Sequence, residues 1–394
     1  MEEAAAQGER DPRGMKVAFF TESLFPLVDG VSRTLAQLFA TLELRGVDFR
    51  VWSPFVPGPE VPWSGRVRRV PYVRFPLYKD YRVSLPVGHG AARELDAWKP
   101  DLVHVVSPTP MAAWAQRWAR GSGVPVVSSF HTHFVSYFAY YGVPWLEGAG
   151  WRMLRRFYDR CDAVYAPSQS MIRELRDHGM QRLELWSRGI DLARFSPALR
   201  DPALRAQAGA DEATPVLLMV SRLVKEKDLA DLVRMERILA ARGVAHRLVL
   251  VGDGPMRAEL EAALPDAHFA GYQSGDALGR WYASGDVFVF PSTTETFGNV
   301  VLEAMASGLP AVVVDRGGPP DLVDGGRTGS VARANDPADL ADRVEPLLRD
   351  AGLRARMGAE ALRSARDRDW QAINGRLLDS YARVIARGPS AGGG

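Results

Sequence analysis

A chain of 394 residues, 46% hydrophobic and 24% charged, holds enough apolar material for two ordinary globular domains, which excludes disordered and fibrous classes. Its 49 Lys+Arg nearly balance 47 Asp+Glu, a formal charge of +2, so no global field marks a partner of nucleic acid and any cationic function must be local. The single cysteine, Cys161, excludes an internal disulfide and cysteine-based metal sites, and reads as a small buried hydrophobe.

Residues 1–14 are polar and charged, without the basic start and apolar core of a secretory signal, and Met15 offers a second start. Nowhere do eighteen apolar residues run together, so the expectation is a cytoplasmic protein that does not span a membrane, with room for peripheral contact at its inner face. Short apolar, β-branched runs then recur at 17–21, 48–52, 102–106, 125–129, 163–165 and 183–186, each followed by a turn and a helical pattern. The stretch 195–215, rich in Pro, Ala and charge, reads as a connection. A second series follows at 216–220, 247–251, 287–290 and 311–314. Such alternation is what parallel sheets with crossover helices require, so the predicted class is α/β, with two doubly wound Rossmann-like domains at 15–195 and 214–369 facing across a cleft. A last helix at 370–387, with Ile373, Leu377, Leu378, Tyr381 and Ile385 at helical spacing, is expected to pack back toward the first domain.

In open parallel sheets the carboxyl ends of strands form ligand crevices, so chemistry should cluster just after strands. After 216–220 comes Ser221-Arg222-Leu223-Val224-Lys225-Glu226-Lys227, three cations within six positions, the mix of guanidinium and ammonium that a diphosphate needs. The next strand ends in Gly252-Asp253-Gly254-Pro255, glycines that permit a tight turn and close backbone approach to a ligand. The strongest stretch runs from Pro291 to Pro310. There a strand empties into a loop carrying Glu295 and Phe297, and a short helix opens near Gly298 and stops at Gly308. Free amides at Asn299 and Val300 would face an anionic group at the positive end of that helix. Glu295 and Glu303 flank its start, and a carboxylate suits the paired hydroxyls of a sugar or a ribose.

These segments, from Met15 to about Arg387, resemble the large retaining GT-B glycosyltransferase family that includes bacterial mannosyltransferases of phosphatidylinositol and sulfolipid synthases. The resemblance implies diphosphate binding by Arg222 and Lys227, donor-sugar contact by Glu295 and ribose contact by Glu303. In the first half it implies that Gly30, within Thr21-Glu22-Ser23 to Asp29-Gly30-Val31, lets backbone approach the phosphates, and that His131 of Phe130-His131-Thr132-His133 lies near the reacting carbon. Asp29 and Arg188, the latter in Ser187-Arg188-Gly189-Ile190-Asp191, fall on the acceptor side, and an arginine before that glycine is similar to GDP-mannose-using members. Three positions depart from the family pattern: Ser221 and Asp228 where glycine is usual, and Asp321 where glutamate is usual.

The implied reaction moves a hexose from a nucleotide diphosphate, most simply mannose from GDP-mannose, to a lipid or small glycoside acceptor, with retention. Metal and cofactor are not expected, the nucleotide sugar being a substrate. UDP-sugar use, an epimerase on a similar scaffold and an inactive sugar-binding relative are the alternatives. Asp367-Arg368-Asp369 reads as a helix-capping cluster rather than a metal site. Two stretches could touch anionic lipid. One places Arg66, Arg68, Arg69, Arg74, Lys79 and Arg82 among Val70, Tyr72, Phe75, Leu77, Tyr78 and Tyr81; the other places Trp151, Leu154, Phe157 and Tyr158 among Arg152, Arg155, Arg156 and Arg160.

Overall fold

The computed structural model describes residues 14–390 except 28, 76–77, 134 and 136–143, and gives backbone alone for 74–75 and 78–81. The apolar runs become two sheets. The first is built from β1 (Lys16–Phe20), β2 (Asp48–Ser53), β3 (Val67–Arg69), β6 (Leu102–Val105), β7 (Val126–Ser129), β8 (Ala163–Ala166) and β9 (Leu183–Leu185). A separate antiparallel hairpin, β4 (Tyr72–Phe75) with β5 (Tyr78–Ser84), hangs beside it. The second sheet holds β10 (Val216–Val220), β11 (Arg247–Val251), β12 (His268–Gly271), β13 (Val287–Phe290), β14 (Ala311–Val314) and β15 (Gly329–Ala332). Every pairing within the two sheets is parallel, and β6, β7, β8, β10, β13 and β14 are buried throughout, as strands covered by helices on both faces must be.

Strand order locates the crevices. The orders β3-β2-β1-β6-β7-β8-β9 and β12-β11-β10-β13-β14-β15 both reverse direction once, between β1 and β6 and between β10 and β13. At such a switch point the connections leave on opposite faces and a cleft opens at the carboxyl ends. The loops at Thr21–Gly30 and Ser107–Pro110 occupy the first crevice; Ser221–Lys227 and Pro291–Gly298 occupy the second.

Two expectations need amending. The stretch 195–215 is folded onto the second domain, through a 3-10 turn at Pro197–Leu199 and a helix at Pro202–Gln207. Its anchor is Arg205, buried, which donates 2.8 Å to Asp286 Oδ2 and to the carbonyls of Ser284, Asp211 and Thr214. The glycines of 252–255 approach another loop. A Cβ on Gly252 (φ +140°) would stand 1.8 Å from the Ser221 carbonyl oxygen, and one on Gly254 would stand 2.4 Å from that of Leu223. They brace the cation loop from behind.

The terminal helix Trp370–Arg387 lies on the first domain, where Ile373, Leu377, Leu378, Tyr381 and Val384 join the core formed by Phe19, Phe39 and Phe49. Asp369 caps it by accepting from Ala372 N at 2.7 Å. The chain therefore crosses between the domains twice.

Candidate active site

Helix Asn299–Ala306 starts at Gly298 (φ +94°), which has no side chain to cap it, so the first amides of this helix remain available. The preceding loop is held by Gly317-Gly318: Gly318 N donates to the Glu295 carbonyl at 2.7 Å. A Cβ on Gly318 would lie 2.4 Å from the Thr296 oxygen, so backbone packs on backbone. Glu295 is thus fixed at its main chain while its carboxylate points to Lys227 Nζ, with which it forms a short hydrogen-bonded ion pair. Lys227 is buried; Arg222 stays exposed, its nearest carboxylate oxygen being Glu226 Oε1 at 3.8 Å. The lysine is preorganised and the arginine is free to swing.

Asp228, one of the three family departures, sits at φ +53°, where glycine is the easy residue. Its carboxylate accepts from Thr293 N and Oγ1, both at 2.8 Å, tying the cation loop to the Glu295 loop. The hydrogen bonds offset the backbone cost. Asp321, another departure, reaches across the cleft. Its carboxylate accepts from Ser170 N at 2.6 Å and Ser170 Oγ at 2.8 Å, in the first turn of helix Gln169–Asp177. It is an interdomain clasp.

From the other side, helix Gly30–Leu44 aims its amino end at the same place: a Cβ on Gly30 would lie 3.1 Å from Asn299 Nδ2. Two helix amino ends therefore face each other across the cleft, with the Asn299 side chain between them. Asp29 is the cap of its helix, accepting from Ser32 N at 2.7 Å and Ser23 Oγ at 2.6 Å. Arg33, one turn along, stands 3.6 Å from Glu303 Oε1, whose partner oxygen accepts from Tyr282 at 2.8 Å. Burial lifts the Glu303 carboxyl to about 7, against the pull of Arg33 and the Tyr282 hydroxyl.

Both ring nitrogens of His131 and its carbonyl are engaged. Arg188, buried, donates to its Nδ1 at 2.8 Å; a guanidinium cannot accept, so Nδ1 bears a lone pair and the proton sits on Nε2. Nε2–H then donates to Ser129 Oγ at 2.8 Å, Ser129 to His104 Nε2 at 3.0 Å, and His104 Nδ1–H to Tyr381 at 2.5 Å. Burial, with Arg188 and His104 adding to it, holds His131 well below the usual imidazole range. Its carbonyl accepts from Thr296 Oγ1 of the second domain at 2.8 Å. The ring is a neutral, oriented wall rather than an open base. His133, in contrast, binds Glu174 at 2.6 Å.

Neither lipid-contact stretch survives whole. Trp151, Leu154, Phe157 and Tyr158 are core residues. Arg66 pairs with Glu43 and Asp48, Arg68 with Glu94, and Arg82 stacks over Phe55 and Tyr72 at 4.3 and 4.6 Å. The side chains of Arg74, Phe75, Tyr78, Lys79 and Tyr81, and all of Leu77, lie outside the described residues. What is exposed instead is Trp145 (72%), Leu146 and Met153 (61%), beside Arg152 and Arg156, an apolar edge whose short run the sequence hid inside a helix pattern. Among the described residues no helix is long and apolar enough to cross a membrane, and no group of three or more His, Cys, Asp or Glu could hold a metal ion.

Two Rossmann-like halves, with phosphate-ready helix ends and a paired lysine and glutamate at their switch points, define a GT-B glycosyltransferase. The chain belongs to glycosyltransferase family 4: residues 28–194 match Glycosyltransferase Family 4 and residues 214–350 match Glycosyl transferases group 1. It is 36% identical over 380 residues to a GDP-mannose-dependent alpha-mannosyltransferase of Mycobacterium tuberculosis, covering 95% of this chain and 98% of that one. It is 32% identical to the sulfoquinovosyl transferase of Arabidopsis thaliana, covering 94% and 74%. In fold it resembles the sucrose-phosphate synthase of Thermosynechococcus elongatus, with a TM-score of 0.75 at 20% identity over 95% of this chain and 100% of that one.

Proposed function

We propose that this enzyme transfers mannose from GDP-mannose to a hydroxyl of a lipid or glycoside acceptor, with retention at the anomeric carbon. The observation that carries the reading is the approach of the amino ends of helices Gly30–Leu44 and Asn299–Ala306 across the cleft, the second of them without a side-chain cap and preceded by the loop whose Glu295 holds Lys227. A diphosphate there meets fixed dipoles and an ammonium that are already oriented, and each such donor lowers the barrier by about 3 kcal/mol. Similarity to GDP-mannose-dependent relatives over nearly the whole chain supports the donor.

On donor binding, Lys227 shares its protons between Glu295 and phosphate, and Glu295 turns toward the sugar hydroxyls. Glu303 accepts from the ribose diol. His131 has no free nitrogen, so the acceptor proton goes to the departing phosphate oxygen on the same face. Cations and amides neutralise the leaving group, so turnover is expected to persist in excess chelator. Incubation with GDP-mannose and a lipid extract, followed by proton NMR of the product, should give an α-linked mannoside; a β-linked product contradicts the reading. A larger thermal shift with UDP than with GDP would move the donor to a UDP-sugar.

Glu303 adds a pH dependence. Hydroxyl donors favour the ionised carboxylate, whereas in the free protein the carboxyl is neutral below about 7. GDP affinity should therefore rise as pH increases through about 7 and level off above it, by calorimetry at fixed ionic strength. Glu303→Gln should flatten that profile. The free protein behaves oppositely: the stability tied to this neutral carboxyl is complete below the ordinary carboxylate pKa and is lost as pH rises through about 7.

The exposed residues Trp145, Leu146 and Met153, with Arg152 and Arg156 next to them in the chain, support peripheral contact with anionic lipid. Sedimentation with anionic vesicles should carry the protein down at low salt, and Trp145→Ser with Met153→Ser should abolish it. Equal sedimentation of the variant removes this edge from the account.

A further inference from the structure

Among the described residues, Glu22 is the carboxylate whose two oxygens are both buried without a hydrogen-bond partner. It is 1% exposed. The other buried carboxylates among the described residues have partners: Glu303 has Tyr282, Asp231 has Arg234, Glu226 has Arg222, and Asp339 accepts from Arg333 N. An orphan carboxyl in a native interior costs at least a hydrogen bond's worth of stability, and a fold retains one where something outside the chain repays it.

Its position says what that is. Glu22 directly follows β1, and Thr109 follows β6, so both stand at the switch point of the first sheet, where the crevice opens toward the second domain. The Ser84 hydroxyl, at the end of β5, is a second buried orphan. Ser84 and Thr109 lie beside the carboxyl, each pulling its pKa down, without closing a hydrogen bond to it that satisfies either oxygen. Burial prevails and lifts the carboxyl to about 7. The neighbouring residue, Ser23, holds Asp29, whose helix carries the amide end that faces Asn299. The orphan group is thus built into the acceptor half, next to the donor's phosphate grip.

We propose that Glu22, with the hydroxyls of Ser84 and Thr109, forms the floor of an acceptor subsite that recognises neutral vicinal hydroxyls, the head of a polyol or a sugar. This rests on the glycosyltransferase reading above and adds the part of the acceptor that touches this half. A carboxyl and two hydroxyls complement groups that both donate and accept. A phosphate or carboxylate at this point of the acceptor would bring an unpaired charge into a buried site and is disfavoured. Glu22 is accordingly a specificity-determining residue, distinct from the lysine and glutamates that hold the donor.

Glu22→Leu separates a ligand role from a structural one, because removing an unpaired buried carboxyl relieves the empty protein while a ligand loses its partner. The variant should melt at a temperature equal to or above that of the native chain. Saturation-transfer NMR with glycerol, myo-inositol and methyl α-mannoside should show at least one of them bound to the native protein and bound at least tenfold more weakly by Glu22→Leu, with Glu22→Gln between. GDP affinity should change less than twofold. A lower melting temperature for Glu22→Leu, polyol binding that Glu22→Leu leaves intact, or no polyol bound by the native chain would each overturn the proposal. Neither the melting nor the polyol measurement involves donor, so a failure of the GDP-mannose reading is seen separately, as native protein that does not bind GDP.

Discussion

Lys227→Ala should lower kcat by about two to three orders of magnitude, the cost of removing one preorganised donor from a developing oxyanion. The structure gives this residue more weight than its neighbours in the cation loop, because it is buried and already aligned on Glu295, whereas Arg222 is exposed and must swing inward. Arg222→Ala should therefore raise KM for the donor more than it lowers kcat. Lys227→Ala and Glu295→Ala should also be strongly non-additive, since each removes the other's partner. Initial-rate kinetics on the two single variants and the double variant measure this directly, and equal, additive losses would remove the ion pair from the mechanism.

Gly30→Val should reduce kcat/KM for donor by about a hundredfold, the penalty for displacing a reacting group by about 1 Å. A Cβ at this position would lie 3.1 Å from Asn299 Nδ2, so branched carbon would push the two helix ends apart. Stability should change little, because the residue opens its helix and Asp29 still caps it. Combining Gly30→Ala with Asn299→Ala should recover much of what Gly30→Ala alone loses, since the second change clears the atom that the first one meets. A Gly30→Val enzyme with native kinetics would mean that the facing ends are not used.

The sequence made most of the scaffold legible where physics is local. Runs such as VLLMV and VFVF can only be buried strands, and Gly298 and Gly308 punctuate the short helix between them at the points the structure uses. The strands His268–Gly271 and Gly329–Ala332 were not legible, because HFAG and GSVA lack the β-branched density that marks a strand and are set by pairing to their neighbours. The stretch 195–215 reads as a linker in sequence because its anchors, Arg200 and Arg205, find Asp286 some eighty residues away.

The site divides in the same way. Glu295, Glu303, Arg222 and Lys227 could be singled out as candidates from loop chemistry, since the cation loop directly follows one buried strand and the glutamate loop with its helix start directly follows another. Partnerships distant in sequence could not: Asp321 with Ser170, Thr296 with the His131 carbonyl, and the chain of hydrogen bonds from Arg188 to Tyr381 join residues up to 277 positions apart. The family resemblance implies a place near the reaction for His131; its tautomer follows from Arg188, 57 positions away. Glu22 could be read only as one letter of a glycine-bearing loop, and its isolation is a property of the packed interior.

Crystals grown with GDP bring all of this to one measurement. The account predicts the diphosphate between the amino ends of helices Gly30–Leu44 and Asn299–Ala306, within hydrogen-bond distance of Lys227 Nζ, and the ribose diol on Glu303. Diphosphate bound elsewhere, with Lys227 still closed on Glu295, would contradict it.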